Sequence, residues 1–302
     1  MPSPKFIVIA LFVASVLYVH LRGRVRLPFH RQLFNHSALL APINALLYLF
    51  SAVPARPYLD RHAFPELDLF REHWQTIRDE ALRLSDQGHI RAALKHNDAS
   101  FNSFFKEGWK RFYLKWYDEP LPSAQAPCPQ TVALVRQVPG IKAAMFTLLP
   151  AGAHLNPHRD PFAGSLRYHL GLVTPGSDDC RICVDGQMYS WRDGEDVLFD
   201  ETFVHWAENR SDCDRLIFFC DVERPLRPRW LGTLNRAVSG VLGRATATQN
   251  LASDRIGVVN HLYGAVHWLK QRARALKRFN RTLYKVLKLG LIVALLYWLL
   301  LT

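Results

Sequence analysis

Alternation of apolar and polar positions is clearest in the middle of the chain. Over residues 166–173, Leu166, Tyr168, Leu170 and Leu172 fall on one side of an extended segment, and Arg167, His169 and Gly171 fall on the other, because side chains two apart share a strand face. Residues 141–149, 180–184, 187–191, 196–199 and 215–222 read as further short strands, with Asp185-Gly186 as a tight turn. This pattern predicts a mainly β fold with accessory helices, built as a double-stranded β-helix, or jelly roll.

Helical spacing precedes the strands. Leu67, Phe70, Trp74, Ile77, Ala81 and Leu84 recur at steps of three and four from Pro65 onward, which predicts one amphipathic helix with Glu66 and Asp68 near its positive end. Residues 129–138 form a shorter helix stopped by Pro139-Gly140. The aromatic-rich stretch 101–117 reads as core packing beside the jelly roll, with an acyl-chain pocket as the other reading.

The ends of the chain are apolar. Residues 6–21 carry no charge and are followed by Arg22, Arg24, Arg26 and Arg31. They form a membrane segment slightly short of the ~20 residues of a spanning helix. A cleaved signal is disfavoured by the single Lys before the run, the arginines after it and the lack of an Ala-x-Ala site. Residues 37–53 are also uncharged but contain Pro42 and Asn44, which favours an interfacial or re-entrant segment; an ordinary buried helix is an equal alternative. Between Lys270 and Lys288 stand eight Lys or Arg and no acid, before an apolar tail of 14 residues that enters a bilayer without fully crossing. The expected organisation is a membrane segment over 1–26, an interfacial region over 27–60, a catalytic domain over 61–232 and a basic helical region with a second membrane segment over 233–302.

The net charge of +12 over 302 residues changes the picture only through its placement. Aromatics lie in apolar runs rather than in a basic binding face, so nucleic acid is not an expected partner. Basic residues beside apolar ends suit anionic membrane lipids and place the central domain on the cytoplasmic side. The odd count of five cysteines fits a reducing compartment, and Cys180 and Cys183 are expected as buried or edge thiols in a strand.

Candidate chemistry gathers between residues 146 and 222. His158 and Asp160 are two apart, and His205 follows the Asp by 45 positions; two imidazoles and one carboxylate suit a three-ligand face on iron with open positions for chemistry. That triplet alone recurs by chance. It gains weight from Arg167 and His169 on one strand face and from Arg215 at the head of an apolar strand, since a guanidinium grips carboxylates with a planar fork.

The segment HLNPHRDPFAGSLRYHLGLVTP, followed by DGQMYSWRDGEDVLFDETFVHWAENRSDCDRLIFFCDVERP, resembles the aspartyl/asparaginyl β-hydroxylase family of Fe(II) and 2-oxoglutarate dependent dioxygenases. Within it the chain is most similar to the membrane-bound bacterial branch that 2-hydroxylates lipid A. The resemblance implies His158, Asp160 and His205 as catalytic iron ligands, with Thr147, Arg167, His169 and Arg215 holding 2-oxoglutarate. It implies O2 as second co-substrate, and as product a hydroxyl at C-2 of a secondary acyl chain of lipid A, a lipopolysaccharide modification at the bacterial inner membrane. The eukaryotic protein hydroxylases of this family lack the carboxylate that Asp160 supplies. Other readings are a protein or peptide β-hydroxylase and a non-catalytic jelly-roll lipid-binding protein. A lipid acyltransferase is disfavoured, because no His is followed five positions later by Asp.

Overall fold

The structure, a computed structural model, describes residues 4–29, 36–93, 98–117 and 121–301. Arg31 lies outside them.

Two antiparallel sheets carry the fold. The larger runs β1-β2-β9-β4-β7, from Lys110–Trp116 (β1), Ile141–Leu149 (β2), Ser165–Val173 (β4), Asp196–Phe199 (β7) and Arg215–Glu223 (β9). The smaller runs β3-β8-β5-β6, from His154–His158 (β3), Cys180–Val184 (β5), Gln187–Ser190 (β6) and His205–Asn209 (β8). Their inner faces meet across a narrow cavity, which is the jelly-roll arrangement the strand pattern predicts. The expected turn is present: Asp185 and Gly186 both take positive φ, 50° and 85°, the conformation a two-residue hairpin needs. β3 is an edge strand, which is why Pro157, lacking an N–H, is tolerated there.

Alternation assigns the two faces of the larger sheet. Tyr168 and Phe218 point outward against Phe70, with ring centroids 6.0 and 5.0 Å away, and Ile77, Ala81 and Leu84 of the helix Trp74–Asp86 close over that layer. Burying aromatic and aliphatic side chains of this size stabilises by about 1.5–3 kcal/mol each. The inner face carries Thr147, Arg167, His169, Arg215 and Phe219. The single helix expected from Pro65 is divided into Pro65–Leu67, Asp68–Glu72 and Trp74–Asp86. His73 leaves helical geometry (φ −106°, ψ 20°), and Trp74 packs against Gly194, where a Cβ would lie 3.0 Å from the indole. Buried Glu80 reaches the next helix, Pro129–Gln137, and accepts from Gln130 N, Thr131 N and Thr131 Oγ1. It satisfies the helix N-terminus from outside.

The segment expected as interfacial or re-entrant, or equally as a buried helix, forms the helices His36–Leu39 and Ala41–Leu49, docked on the domain by one face, with Leu39 and Leu49 exposed. Asn44, the residue that argued for the interface, is fully buried; its amide donates to Pro161 O and its carbonyl accepts from Ala163 N. The expected boundary at 232 falls inside the helix Arg229–Thr246. The packed body continues beyond that helix, because Asn250 accepts from Tyr113 N and donates to Tyr113 O of β1.

Among the described residues, Pro4–Leu21 is the one helix long and apolar enough to cross a membrane, with mean hydropathy 2.0. Its last turn is tied to the domain. Arg159 donates to Val19 O and Arg22 O, and Arg22 pairs with Asp200 at 2.6 Å. Two long helices, Val258–Phe279 and Arg281–Leu301, end the chain. The first buries only Asn260 and exposes Val259, Leu262, Val266 and Leu269 at helical spacing, with Lys270, Arg274 and Arg278 along one flank of that apolar arc.

Candidate active site

β3 and β8 pair so that His158 lies directly opposite His205. Their ring centroids are 4.2 Å apart. Asp160 follows the end of β3, its N–H held by Glu201 O at 3.0 Å, and its Oδ1 lies 3.7 Å from His158 Nε2 and 3.9 Å from His205 Nε2. One donor atom from each of the three residues falls within 4.8 Å of the others.

The tautomers suit metal binding. His158 Nδ1 donates to Asn156 O at 2.7 Å and His205 Nδ1 to Phe203 O at 3.0 Å. Both Nε2 lone pairs are thereby turned toward the Asp160 carboxylate, the backbone-anchored orientation found at metal-ligating histidines. Burial lowers the pKa of His158 and, with His158 beside it, that of His205 to about 3. Burial pushes the Asp160 carboxyl the other way, but Arg167, His205 and His158 outweigh it and hold the carboxyl below its ordinary value. Two neutral imidazoles and one carboxylate are the protonation states a metal requires.

Charge balance points the same way. Arg167 pairs with Asp160 at 2.7 Å, with Asp221 at 2.8 Å and with Glu201. Three carboxylates share this one guanidinium, so the surroundings of Asp160 are rich in acid, and burial, together with Asp221 and Asp160, pushes Glu201 well above the usual carboxylate range.

Arg215, His169 and Thr147 share the cavity with the histidines but have no such partners. Arg215 Nε, both ring nitrogens of His169 and Thr147 Oγ1 are buried without a hydrogen bond. Orphaned polar atoms are costly in a native interior, so a cluster of them marks a place for a polar ligand. Arg215 stacks on Trp191 at 4.3 Å, no carboxylate among the described residues pairs with it, and burial lowers its pKa to about 10. The arrangement fits an anionic co-substrate gripped by Arg215, next to a metal held by His158, Asp160 and His205.

All seven residues expected at the site therefore border one region, but Arg167 is engaged differently from the rest. Its guanidinium lines the cavity but is paired with carboxylates, Asp160 among them. Sequence reasoning missed two of those carboxylates, Glu201 and Asp221, whereas Phe104 and Trp109 belong to the aromatic stretch for which a pocket is the second reading. Phe104 sits edge-on over His158 at 4.8 Å, and both line the cavity. Of the cysteines, Cys128, Cys180, Cys183 and Cys220 are buried and Cys213 is exposed, all as free thiols.

The sequence profile of the aspartyl/asparaginyl β-hydroxylase family matches residues 71–225, half of the chain. The chain belongs to the aspartyl/asparaginyl β-hydroxylase family. Among curated members of this family, the ornithine lipid ester-linked acyl 2-hydroxylase of Rhizobium tropici is 38% identical over 120 residues, 39% of this chain and 43% of that protein. The human aspartyl/asparaginyl β-hydroxylase is 27% identical over 59% of this chain and 24% of its own length. The matched region thus spans less than half of either relative. A solved prolyl-4-hydroxylase from Pseudomonas putida aligns with 52% of this chain and 87% of its own, at a TM-score of 0.35 and 19% identity.

Proposed function

We propose that the protein is an Fe(II)/2-oxoglutarate dependent dioxygenase that hydroxylates C-2 of a secondary acyl chain of lipid A, from the bacterial inner membrane with its catalytic domain facing the cytoplasm. The observation that carries this reading is the adjacency of the His158, Asp160 and His205 donor set to the unpartnered Arg215, His169 and Thr147. The rhizobial relative, named for 2-hydroxylation of a membrane-lipid acyl chain, supports an acyl substrate. Lipid A as the acyl carrier rests on the sequence resemblance and the basic surroundings of the apolar ends.

Bound iron, with 2-oxoglutarate and O2, supplies the oxidising power for replacing C–H by C–OH, with succinate and carbon dioxide as co-products. His158, Asp160 and His205 would hold the ion, and the Asn156 and Phe203 carbonyls fix the two imidazoles in the ligating tautomer. Arg167 keeps Asp160 ionised and aimed. Arg215 would grip the far carboxylate of 2-oxoglutarate with its planar fork, with Trp191 holding the fork's plane. His169, neutral because of burial and then of Arg167 and Arg215, and Thr147 would complete that pocket as hydrogen-bonding groups. The lumen is narrow, about 40 Å³, so entry of a five-carbon diacid requires side chains at its edge to move; Phe104, half-buried on the short helix Asn102–Phe105, stands at that position.

Membrane residence is supported by the apolar helix Pro4–Leu21 and by the exposed apolar arc of Val258–Phe279, whose flanking Lys and Arg residues suit anionic lipid. Incubation of the purified full-length protein with Fe(II), 2-oxoglutarate and lipid A should yield succinate in step with hydroxylated lipid. Succinate formed with a peptide substrate and not with lipid would favour the protein-hydroxylase alternative.

A further inference from the structure

A second and larger cavity, about 630 Å³, opens where the N-terminal helix ends. Arg22, Arg24, Arg56, Tyr58, Gln187 and Phe203 line it. Its position follows from the chain. Arg22 and Arg24 come directly after the apolar helix Pro4–Leu21, so the cavity sits at the level where a membrane gives way to water.

The charges at this cavity are unequal in their commitments. Arg22 is buried and spent on Asp200 and Thr202. Asp185, the acid at the cavity, has its Oδ1 engaged by Arg24 N and Val25 N, both at 2.7 Å. Arg24 and Arg56 are exposed, and neither guanidinium forms an ion pair with a described residue. A cavity lined by two arginines without ion-pair partners suits a dianionic phosphate monoester.

The wall that carries Arg24 is fixed. Gly23 has φ +88°, and a Cβ there would lie 2.7 Å from Asp185 Oδ1 and 2.9 Å from the Phe203 ring. Only glycine allows the backbone to press this close. Arg159, between the two ligands His158 and Asp160, donates to Val19 O and Arg22 O and locks the helix end to the metal motif. The cavity is also near the chemistry: Phe203, which lines it, accepts the Nδ1–H of His205 through its carbonyl. On another wall, Tyr58 pairs with Phe199, which lines the metal cavity.

We propose that this cavity binds the phosphorylated headgroup of the acyl substrate through Arg24 and Arg56; the inference rests on the lipid hydroxylase reading. C-2 adjoins the acyl carbonyl at the polar end of the chain. An enzyme acting there holds the polar end of its lipid closer to the metal site than one acting at mid-chain.

The test is calorimetric titration of the full-length protein, in phosphate-free detergent, with dihexanoyl phosphatidic acid, dihexanoyl phosphatidylcholine and inorganic phosphate. Wild type should bind the phosphatidic acid at least about tenfold more tightly than the other two. Arg24→Gln/Arg56→Gln should lose about tenfold for it, while Arg272→Gln/Arg274→Gln in the distant basic helix should not. Equal binding of inorganic phosphate would assign the site to a free anion and overturn the headgroup. Unchanged affinity in the first variant, or equal loss in the second, would overturn the site. A parallel succinate assay separates the two readings: absence of turnover with headgroup binding intact would count against the hydroxylase and leave the site standing.

Discussion

His158 and His205 face each other across the β3–β8 pair, with Nδ1 of each ring held by a backbone carbonyl two residues earlier in its own chain segment. Because each imidazole is oriented by its own backbone, removing one should leave the other in place. His158→Ala, Asp160→Ala and His205→Ala are each expected to abolish hydroxylation and to lower Fe(II) binding by about 10-fold or more, with the protein still recovered from membranes. Metal analysis of purified variants checks this; stoichiometric iron with full activity in any of them would remove the assignment.

Arg167 is engaged differently from Arg215. It is the shared counter-ion of Asp160, Asp221 and Glu201, and breaking a buried pair by removing one partner costs about 3–5 kcal/mol. Arg167→Ala should therefore lower thermal stability and weaken iron binding together. A raised KM for 2-oxoglutarate, with stability and iron affinity unchanged, would return Arg167 to the co-substrate pocket.

For Arg215→Ala the expected pattern is the reverse. Iron binding should persist, and the KM for 2-oxoglutarate should rise by about 30-fold or more, the loss of a buried charged hydrogen bond of 2 kcal/mol or above. Steady-state kinetics with 2-oxoglutarate varied measure it directly. An unchanged requirement would assign the buried guanidinium to another anion.

Acid should destabilise the metal-free protein through its buried histidines. Burial, with Arg167 and Arg215 close by, holds His169 well below its ordinary value of 6.5. The unfolded chain then binds a proton that the folded chain refuses, so this contribution is fully present above pH 6.5 and declines by up to ~1.4 kcal/mol per pH unit below it. Glu201 acts with the opposite sign. Burial, then Asp221 and Asp160, raise it well above 4.5, so its contribution is present at low pH and is lost as pH rises through the folded value. Glu201 is common to wild type and His169→Gln and cancels between them. In melts of metal-free protein from about pH 7.5 to about 5.5, wild type should lose more stability than His169→Gln; equal losses would contradict the buried neutral His169.

Much of this site was legible because strand periodicity writes faces into sequence. Arg167 and His169 share a face in β4 with the outward Tyr168 between them, and Asp185-Gly186 could only be a turn. Pairing partners are not written that way. Asp221 meets Arg167 because β9 and β4 align those two residues across the ladder, and Glu201 arrives from a loop 34 positions after Arg167. The burial of Asn44 was not legible for a related reason. A buried Asn is costly without partners, and its partners, Pro161 and Ala163, stand more than a hundred residues away. Trp74, read as part of one continuous amphipathic helix, follows a break at His73 because it packs on the Gly194 turn.

The central claim is tested most directly by mass spectrometry of lipid A from cells with the protein, without it, and with His158→Ala. The account predicts a gain of one oxygen on lipid A that requires His158 and that fragments to C-2 of a secondary acyl chain. Identical lipid A spectra from all three strains, grown aerobically with adequate iron, would contradict it.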